Sequence, residues 1–401
     1  MLTTGRPFRG RELDELKEFL AGAGLRYEEG IEYSVCLKEG GVITGTGSVE
    51  ANVIKCVAVE KSRQGQGIMA QIISELIQYL YEKERTHVFV YTRPENLEIF
   101  ADMGFYAVYA AEGILLLENR EKGFDSYLKQ LEEETPKEAL PQPAAGGDAG
   151  KKAAPLSRIG SVAVNCCPFT LGHRYLLEEA LRQCDYLHLF LLSDNRGIFS
   201  ARERYEMLQR GTEDLDRLIL HETSGYMISA ATFPTYFFKD RAQGESANCR
   251  LDLELFGARI APRLGIAVRF VGTEPFCRIT RAYNEEMKRI LPGYGIRVVE
   301  TKRKALNGRP VSASEVRKRI AQGDVEGVKK MVPEKVYRYL KEKMGRLGDY
   351  DGKNPPDPID SDLLFFIAGY SDIDCGNFRK VQRTRIPAKG EGVRGLYFKY
   401  V

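Results

Sequence analysis

The sequence predicts an α/β protein of two domains, the first mixed α+β and the second a doubly wound parallel sheet. Three observations predict it. The chain has 401 residues, more than a single core usually carries. Residues 132–157, "EEETPKEALPQPAAGGDAGKKAAPLS", are rich in Ala, Pro, Gly and charge, have no apolar periodicity, and read as a flexible linker. Beyond that stretch, apolar runs alternate with helical segments, the order that builds parallel sheets. The expected divisions are a first domain over 1–131, the linker over 132–157, a second domain over 158–346 and an extension over 347–401.

The first domain opens with a helical segment, "RGRELDELKEFLAGAG". The strand-like runs "EYSVCLKEG", "GVITGTGSVE" and "NVIKCVAVE" follow. A glycine turn, "KSRQGQGI", leads into "MAQIISELIQYLYEKE", whose apolar residues recur at helical spacing. Then come the strand "THVFVYT", a short helix "PENLEIFADMG" and the apolar "FYAVYAAEGILLLEN". In the second domain the strands "RIGSVAVN", "YLHLFLLS", "RLILHET", "AVRFVGTE" and "IRVVETKRK" are expected. Helices are expected at "GHRYLLEEALRQC", "SARERYEMLQRGTEDL", "TRAYNEEMKRIL" and from "GRPVSASEVRKRIAQG" onward. In the final stretch "LLFFIAGY" reads as a strand, and the basic end has no clear period.

Composition narrows the function. Hydrophobic residues make up 43% and charged residues 29%, which reads as a soluble globular protein. A net charge of +3 gives no case for a general nucleic-acid binder, but leaves room for a basic pocket holding a phosphorylated ligand. No run reaches the length of a membrane span, and the first 30 residues lack the apolar core of a signal peptide. Eight cysteines, none in a CxxC pair, with 4 histidines do not spell a zinc site. Reduced thiols in a cytoplasmic enzyme are expected.

The chemistry concentrates at "NCCPFTLGHRYLLEEA", residues 165–180, where the first strand of the second domain becomes a helix. A strand, a tight turn and a helix N-terminus make an anion site, because the free N–H groups and the helix dipole favour negative charge. Gly172 allows close approach of backbone and ligand. His173 in the first turn can hydrogen-bond a transferring phosphoryl group, and Thr170 can reach the same oxygens. The plainer alternative makes Gly172 a turn residue and His173 a helix cap. In "VSASEVR", residues 311–317, two hydroxyls and helix N–H groups can hold phosphates, and Arg317 can grip them in bidentate fashion. Ser312 or Ser314 also reads as an N-cap with Glu315 in the first turn; the two readings are compatible.

"CPFTLGH" resembles the (H/T)xGH signature of the nucleotidyltransferase α/β phosphodiesterase superfamily, a HUP-like fold. "VSASEVR" resembles its second signature, ISxSxxR, with valine for isoleucine. Together with "ISAATFPTYFFKD", "VGTEPFCRITRAYNEEM" and "GRPVSASEVR", the chain is similar to the citrate lyase ligase family over roughly residues 1–345. The resemblance implies a reaction. Acetate attacks the α-phosphate of ATP, and acetyl-adenylate and pyrophosphate form. The acetyl group then passes to the thiol of a CoA-like prosthetic group on the acyl carrier subunit of citrate lyase, which activates the lyase. It also implies catalytic roles for His173, Thr170 and Arg317, with ATP at Asn165, Pro168, Phe169, Gly172, Ser312 and Ser314 and Mg²⁺ bridging the phosphates. The chain departs from the family at "NCCPF", where "NANPF" is expected. Cys166 and Cys167 there read better as small buried residues than as nucleophiles. "SDNRGIFSARERY" departs as well, leaving Arg202 and Arg204 either facing the phosphates or as solvated charges on a surface helix.

"RQGQGIMA" lies between a strand and a helix and resembles the Q/R-x-x-G-x-G/A pyrophosphate loop of GNAT acetyltransferases. Gln64, Gly65, Gln66, Gly67 and Ile68 are read as that loop, whose backbone N–H groups cradle a pyrophosphate; Met69 departs from its last position. "RPENLEIFADMGF" resembles the final GNAT segment, with Asn96 at a typical place. The first domain is therefore expected to be GNAT-like and to hold the CoA-like prosthetic arm. Two other readings stay open: a nucleotidyltransferase adenylylating a phosphorylated small acceptor, and a GNAT protein acetyltransferase with a nucleotide-sensing domain. Nucleic acid and membrane are not expected as partners.

Overall fold

The computed structural model describes residues 2–5, 8–28, 30–111, 113–141, 158–192, 198–227, 249–275, 277–306 and 309–348. These residues fall into two units. The first takes the described parts of Met1–Pro136, Thr232–Leu264 and Ala282–Gly295; the second takes those of Lys137–Ala231, Gly265–Arg281 and Ile296–Val401. The sequence segments "ISAATFPTYFFKD" and "LLFFIAGY", residues 142–157 and everything after 348 lie outside the described residues.

The first unit is built on a mixed sheet of seven strands: β1 Leu2–Gly5, β2 Tyr33–Glu39, β3 Val42–Glu50, β4 Val53–Val59, β5 Phe89–Thr92, β6 Tyr106–Ala111 and β7 Ile114–Glu118. Their order is β1-β2-β3-β4-β5-β7-β6. Neighbours run antiparallel except β4 and β5, which are parallel and joined through helix α2, Ile68–Glu82. Those two strands pair only at Val53 with Phe89 and Ile54 with Val90, then part. Helix α1 covers Arg11–Gly22, the short α3 Leu97–Ala101 and α4 Gly123–Glu134. The apolar stripe Ile72, Leu76 and Leu80 of α2 is fully buried with Val35, Val49 and Ile54 of the sheet. Glycine makes that contact close. A Cβ at Gly45 would lie 2.6 Å from Ile68, and one at Gly47 would lie 2.8 Å from Ile72 and Leu76.

Two features differ from the sequence reading. The chain does not loosen at Glu132. Helix α4 runs on to Glu134 because Phe124, Tyr127, Leu128 and Leu131 bury one of its faces, and Ala139 beyond it is buried too. Glu132 itself pairs with Arg263 at 2.8 Å. Second, parts of the span 158–346 group with the N-terminal unit. The reason is local packing within that unit. Arg259 stacks over the Phe124 ring, Tyr283 donates its hydroxyl to Asp252, and a Cβ on Gly257 would lie 2.7 Å from the Tyr294 ring.

The second unit is a five-stranded parallel sheet of β8 Ile159–Val164, β9 Tyr186–Leu191, β10 Leu218–Glu222, β11 Ile266–Gly272 and β12 Arg297–Thr301, in the order β10-β9-β8-β11-β12. Its helices are α5 Leu171–Leu181, α6 Ala201–Thr212, α8 Ala313–Ala321, α9 Val325–Val328 and α10 Glu334–Gly348; α7, Arg278–Ile290, intervenes between β11 and β12. One face of the sheet, through Val162, Leu189 and Phe270, shares a core with Leu177 of α5, Leu208 of α6 and Val316 of α8. The fold class is the expected one. The strand order reverses between β8 and β11, and ligands bind at such a switch point, beyond the carboxyl ends of the strands. Among the described residues no helix is long and apolar enough to cross a membrane.

Candidate active site

The turn after β8 delivers its residues to that switch point. Cys166 sits in the left-handed region at φ 50°, and the Cys167–Pro168 peptide is cis. Thr170, 1% exposed, is the N-cap of α5. Its Oγ1 accepts from the His173 N–H at 3.4 Å, while Nδ1 of His173 accepts from the Thr170 N–H at 3.1 Å. His173 is thus the helix cap of the plainer sequence reading, and the cap decides its chemistry. A backbone N–H can only donate, so Nδ1 holds a lone pair and the neutral ring carries its proton on Nε2. Burial, with the charges of Arg303 and Arg317, pushes the His173 pKa down to about 4. Near neutral pH the residue is an uncharged donor.

The second stretch meets the first here. A Cβ on Gly172 would lie 2.9 Å from the Val311 carbonyl oxygen, so only glycine lets the two approach so closely. Ser312 caps α8, its Oγ accepting from the Glu315 N–H at 3.2 Å. Arg317 donates to the Cys167 carbonyl at 2.7 Å and to Ser314 Oγ at 3.0 Å, tying α8 to the turn. Ser314 is exposed and Arg317 half-buried. Two helix N-termini therefore converge with a histidine N–H and a guanidinium. Leu171 N–H is taken by the Met331 carbonyl, whereas no described residue accepts from Gly172 N–H. Such an arrangement of donors is chemically suited to a polyanion.

Several residues sit otherwise than expected. Phe169 is fully buried, stacked on His173 and pressed against Gly211, and Pro168 is buried too; both shape the turn from beneath. Asn165 spends its carbonyl and Oδ1 on Arg204, each at 2.8 Å. Arg204 is no surface charge: it is fully buried, while Arg202 is exposed. Burial drives the Cys166 thiol well above its ordinary range, consistent with a small buried residue and not a nucleophile. Sequence reasoning missed Arg303. It follows β12, donates to the Thr273 carbonyl at 2.6 Å and pairs with Glu274. The signal was the basic run "TKRK" directly after a strand.

In the first unit, Gln64 to Gly67 leave the carboxyl end of β4 and open α2. Gly65 and Gly67 have φ of 78° and 76°, left-handed values that favour glycine, and a Cβ on either would meet nothing within 4 Å. The loop is exposed, and Gln66 reaches back to the Ser62 carbonyl. Ile68 offers only its backbone, since its side chain is buried in the core. Partly buried Met69 packs on the same core, which accounts for its departure from the loop pattern. Asn96 follows β5, the parallel neighbour of β4, and its amide donates to Thr92 Oγ1 at 2.8 Å. The loop and Asn96 therefore follow the carboxyl ends of adjacent strands, beside the place where those strands part.

Residues 159–340 match the family described as the citrate lyase ligase C-terminal domain. The citrate (pro-3S)-lyase ligase of Haemophilus influenzae is 38% identical over 343 residues, covering 84% of this chain and 97% of that protein. That of Klebsiella pneumoniae is 36% identical over 332 residues, covering 82% of this chain and 92% of that protein. Among solved structures, an acyl-CoA N-acyltransferase from Pseudomonas aeruginosa matches 30% of this chain and 99% of its own at 15% identity, with a TM-score of 0.27.

Proposed function

This chain belongs to the citrate lyase ligase family, and from that premise we propose that it is the ATP-dependent ligase that acetylates the prosthetic-group thiol of the citrate lyase acyl carrier subunit. An acetate oxygen forms a bond to the α-phosphorus of ATP, and the bond to the departing pyrophosphate breaks. The thiol sulfur then bonds the acyl carbon of acetyl-adenylate. AMP leaves with the electron pair, and the thiol proton goes to solvent. The product is the acetyl thioester that activates the lyase.

One observation carries the reading: Thr170 fixes His173 with Nε2–H as its donor, between two helix N-termini and Arg317. Negative charge develops on the phosphoryl oxygens as acetate attacks, and preorganised donors stabilise it there. Ser312, Ser314 and the Gly172 N–H suit the remaining phosphate oxygens. Among the described residues no group of three His, Cys, Asp or Glu side chains could hold a metal ion. Mg²⁺ is therefore assigned only as the companion of ATP, and no step runs through it. The first unit is assigned to hold the CoA-like arm at Gln64–Ile68 and Asn96. Seven cysteines that form no disulfide among the described residues accord with work in the cytoplasm.

The test is ATP–pyrophosphate exchange with and without acetate, on the wild type and His173→Ala. Acetate-dependent exchange is expected, reduced in the variant by about a hundred- to a thousandfold, the loss typical of one transition-state donor. Exchange driven by a phosphorylated acceptor and not by acetate would sink the proposal in favour of an ordinary nucleotidyltransferase.

A further inference from the structure

The largest fully buried side chain of the second unit belongs to a residue the reaction does not use directly. Arg204, in the first turn of α6, is 0% exposed. Its Nη1 donates to the Asn165 carbonyl at 2.8 Å, to Asn165 Oδ1 at 2.8 Å and to the Leu192 carbonyl at 2.9 Å. Asn165 begins the turn after β8, and Leu192 is the first residue past β9. One guanidinium therefore joins two strand ends at the switch point. Burying a charge is costly unless hydrogen bonds offset it, and here three acceptors converge on the single Nη1.

The rest of α6 grips the same turn. Near its C-terminal end, Gly211 leaves room for the Phe169 ring, which a Cβ would approach to 2.5 Å. At the far end Arg174 of α5 donates to the Gly211 carbonyl at 2.9 Å and pairs with Asp214 at 2.7 Å. The helix is itself anchored. Ser200 and Glu203 form a capping box, and buried Glu203 pairs with Lys343 of α10. The turn bearing Thr170, Gly172 and His173 is thus held along its length by α6, and Arg204 holds its first residue.

We infer that Arg204 is the positioning residue of the nucleotide turn: it fixes Asn165, and through it the capping box that aims His173 Nε2. The inference rests on the turn being the ATP site. Arg204→Lys keeps the charge, but its shorter stem does not carry a donor to the point where Nη1 meets all three acceptors. Three readouts are taken on the full chain: thermal unfolding, ATP binding by titration calorimetry, and the titration of His173 followed by histidine ¹⁵N resonances, assigned with His173→Ala. ATP affinity is expected to fall by about tenfold, as for a turn misplaced by a fraction of an ångström. The His173 pKa should rise from about 4 toward its ordinary value as the loosened turn lets water reach the ring and moves it away from Arg303 and Arg317. A purely stabilising role would move the unfolding temperature alone.

Unchanged ATP affinity and unchanged His173 titration in a folded Arg204→Lys protein would overturn the inference. Should that variant not fold, Asn165→Ala decides on the same readouts, since it removes one of the three acceptors and leaves Arg204 in place. Neither readout needs acetate. A wild type that binds ATP but shows no acetate-dependent exchange would therefore refute the ligase chemistry separately.

Discussion

The two phosphate-binding candidates of this chain are built in opposite ways. The turn after β8 is gripped on every side: Arg204 at its start, Phe169 beneath it, Arg317 on the Cys167 carbonyl, Met331 on Leu171 and Val311 against Gly172. The loop after β4 is open. A Cβ on either of its two left-handed glycines would meet no atom within 4 Å, and the loop offers backbone and little else. The difference matches the role proposed for each. Phosphoryl transfer gains from donors fixed before the reaction, so rigidity there lowers the barrier. Holding a long arm that must enter and leave needs only a cradle of N–H groups at a helix end.

The sharpest way to break the comparison is to disturb the crowded site at its tightest point. Gly172→Ala would press a methyl group to 2.9 Å from the Val311 oxygen, and backbone must shift. Acetate-dependent exchange is expected to fall by about a hundredfold, the scale of a misplaced catalytic geometry. Acetyl transfer from supplied acetyl-adenylate should survive better than exchange. Equal loss of both would mean that the two half-reactions do not separate.

The open site should behave in reverse. Gly65→Glu puts a side chain where φ is 78° and a negative charge where a phosphate is expected. Exchange should stay within about twofold of wild type, while acetylation of the carrier thiol drops by about tenfold or more, since like charge at a helix N-terminus opposes an anion. Transfer that persists at the wild-type rate would remove the loop from the mechanism.

Much of this was legible in the sequence, for a physical reason. Turns and helix starts are specified locally, so "TLGH", "SASEVR" and "QGQG" carry their own geometry: a cap, a close approach, a left-handed φ. The alternation of strands and helices after residue 158 likewise follows from periodicity. What stayed hidden depends on distant partners. Arg204 looks like an ordinary charge on a surface helix, and nothing nearby in sequence says that it spans two strand ends. Arg303 and Glu274 lie 29 positions apart yet pair. The end of helix α4 is hard to read because the acidic "EEE" resembles the linker that follows, although its apolar positions continue to Leu131. The grouping of the described parts of Thr232–Leu264 and of Ala282–Gly295 with the N-terminal unit left no local mark either.

The subtlest test uses pH to separate the two sites. His173 has its pKa lowered to about 4, so protonation is disfavoured in the folded protein, and the neutral donor persists at every pH above that value. Protonating the ring would also put a hydrogen on Nδ1, where the Thr170 N–H already points, and break the cap. Lowering the pH from about 7.5 to about 5.5 should therefore leave exchange within about twofold, since acetate too stays ionised in that range. Acetyl transfer should respond, because the attacking species is a thiolate. An ordinary thiol with a pKa of about 8.5 loses thiolate roughly tenfold for each unit of falling pH. Stability carries the same signature with the opposite sign of shift from a salt-bridged histidine. Unfolded His173 binds a proton below about 6.5 that the folded residue refuses until about 4, so stability is lost as pH falls through that window and is flat above it. Exchange that tracked a group titrating near 6.5 in the wild type but not in His173→Ala, and so not the phosphates of ATP or pyrophosphate, would mean that His173 acts as a cation and that the capping box does not set its tautomer.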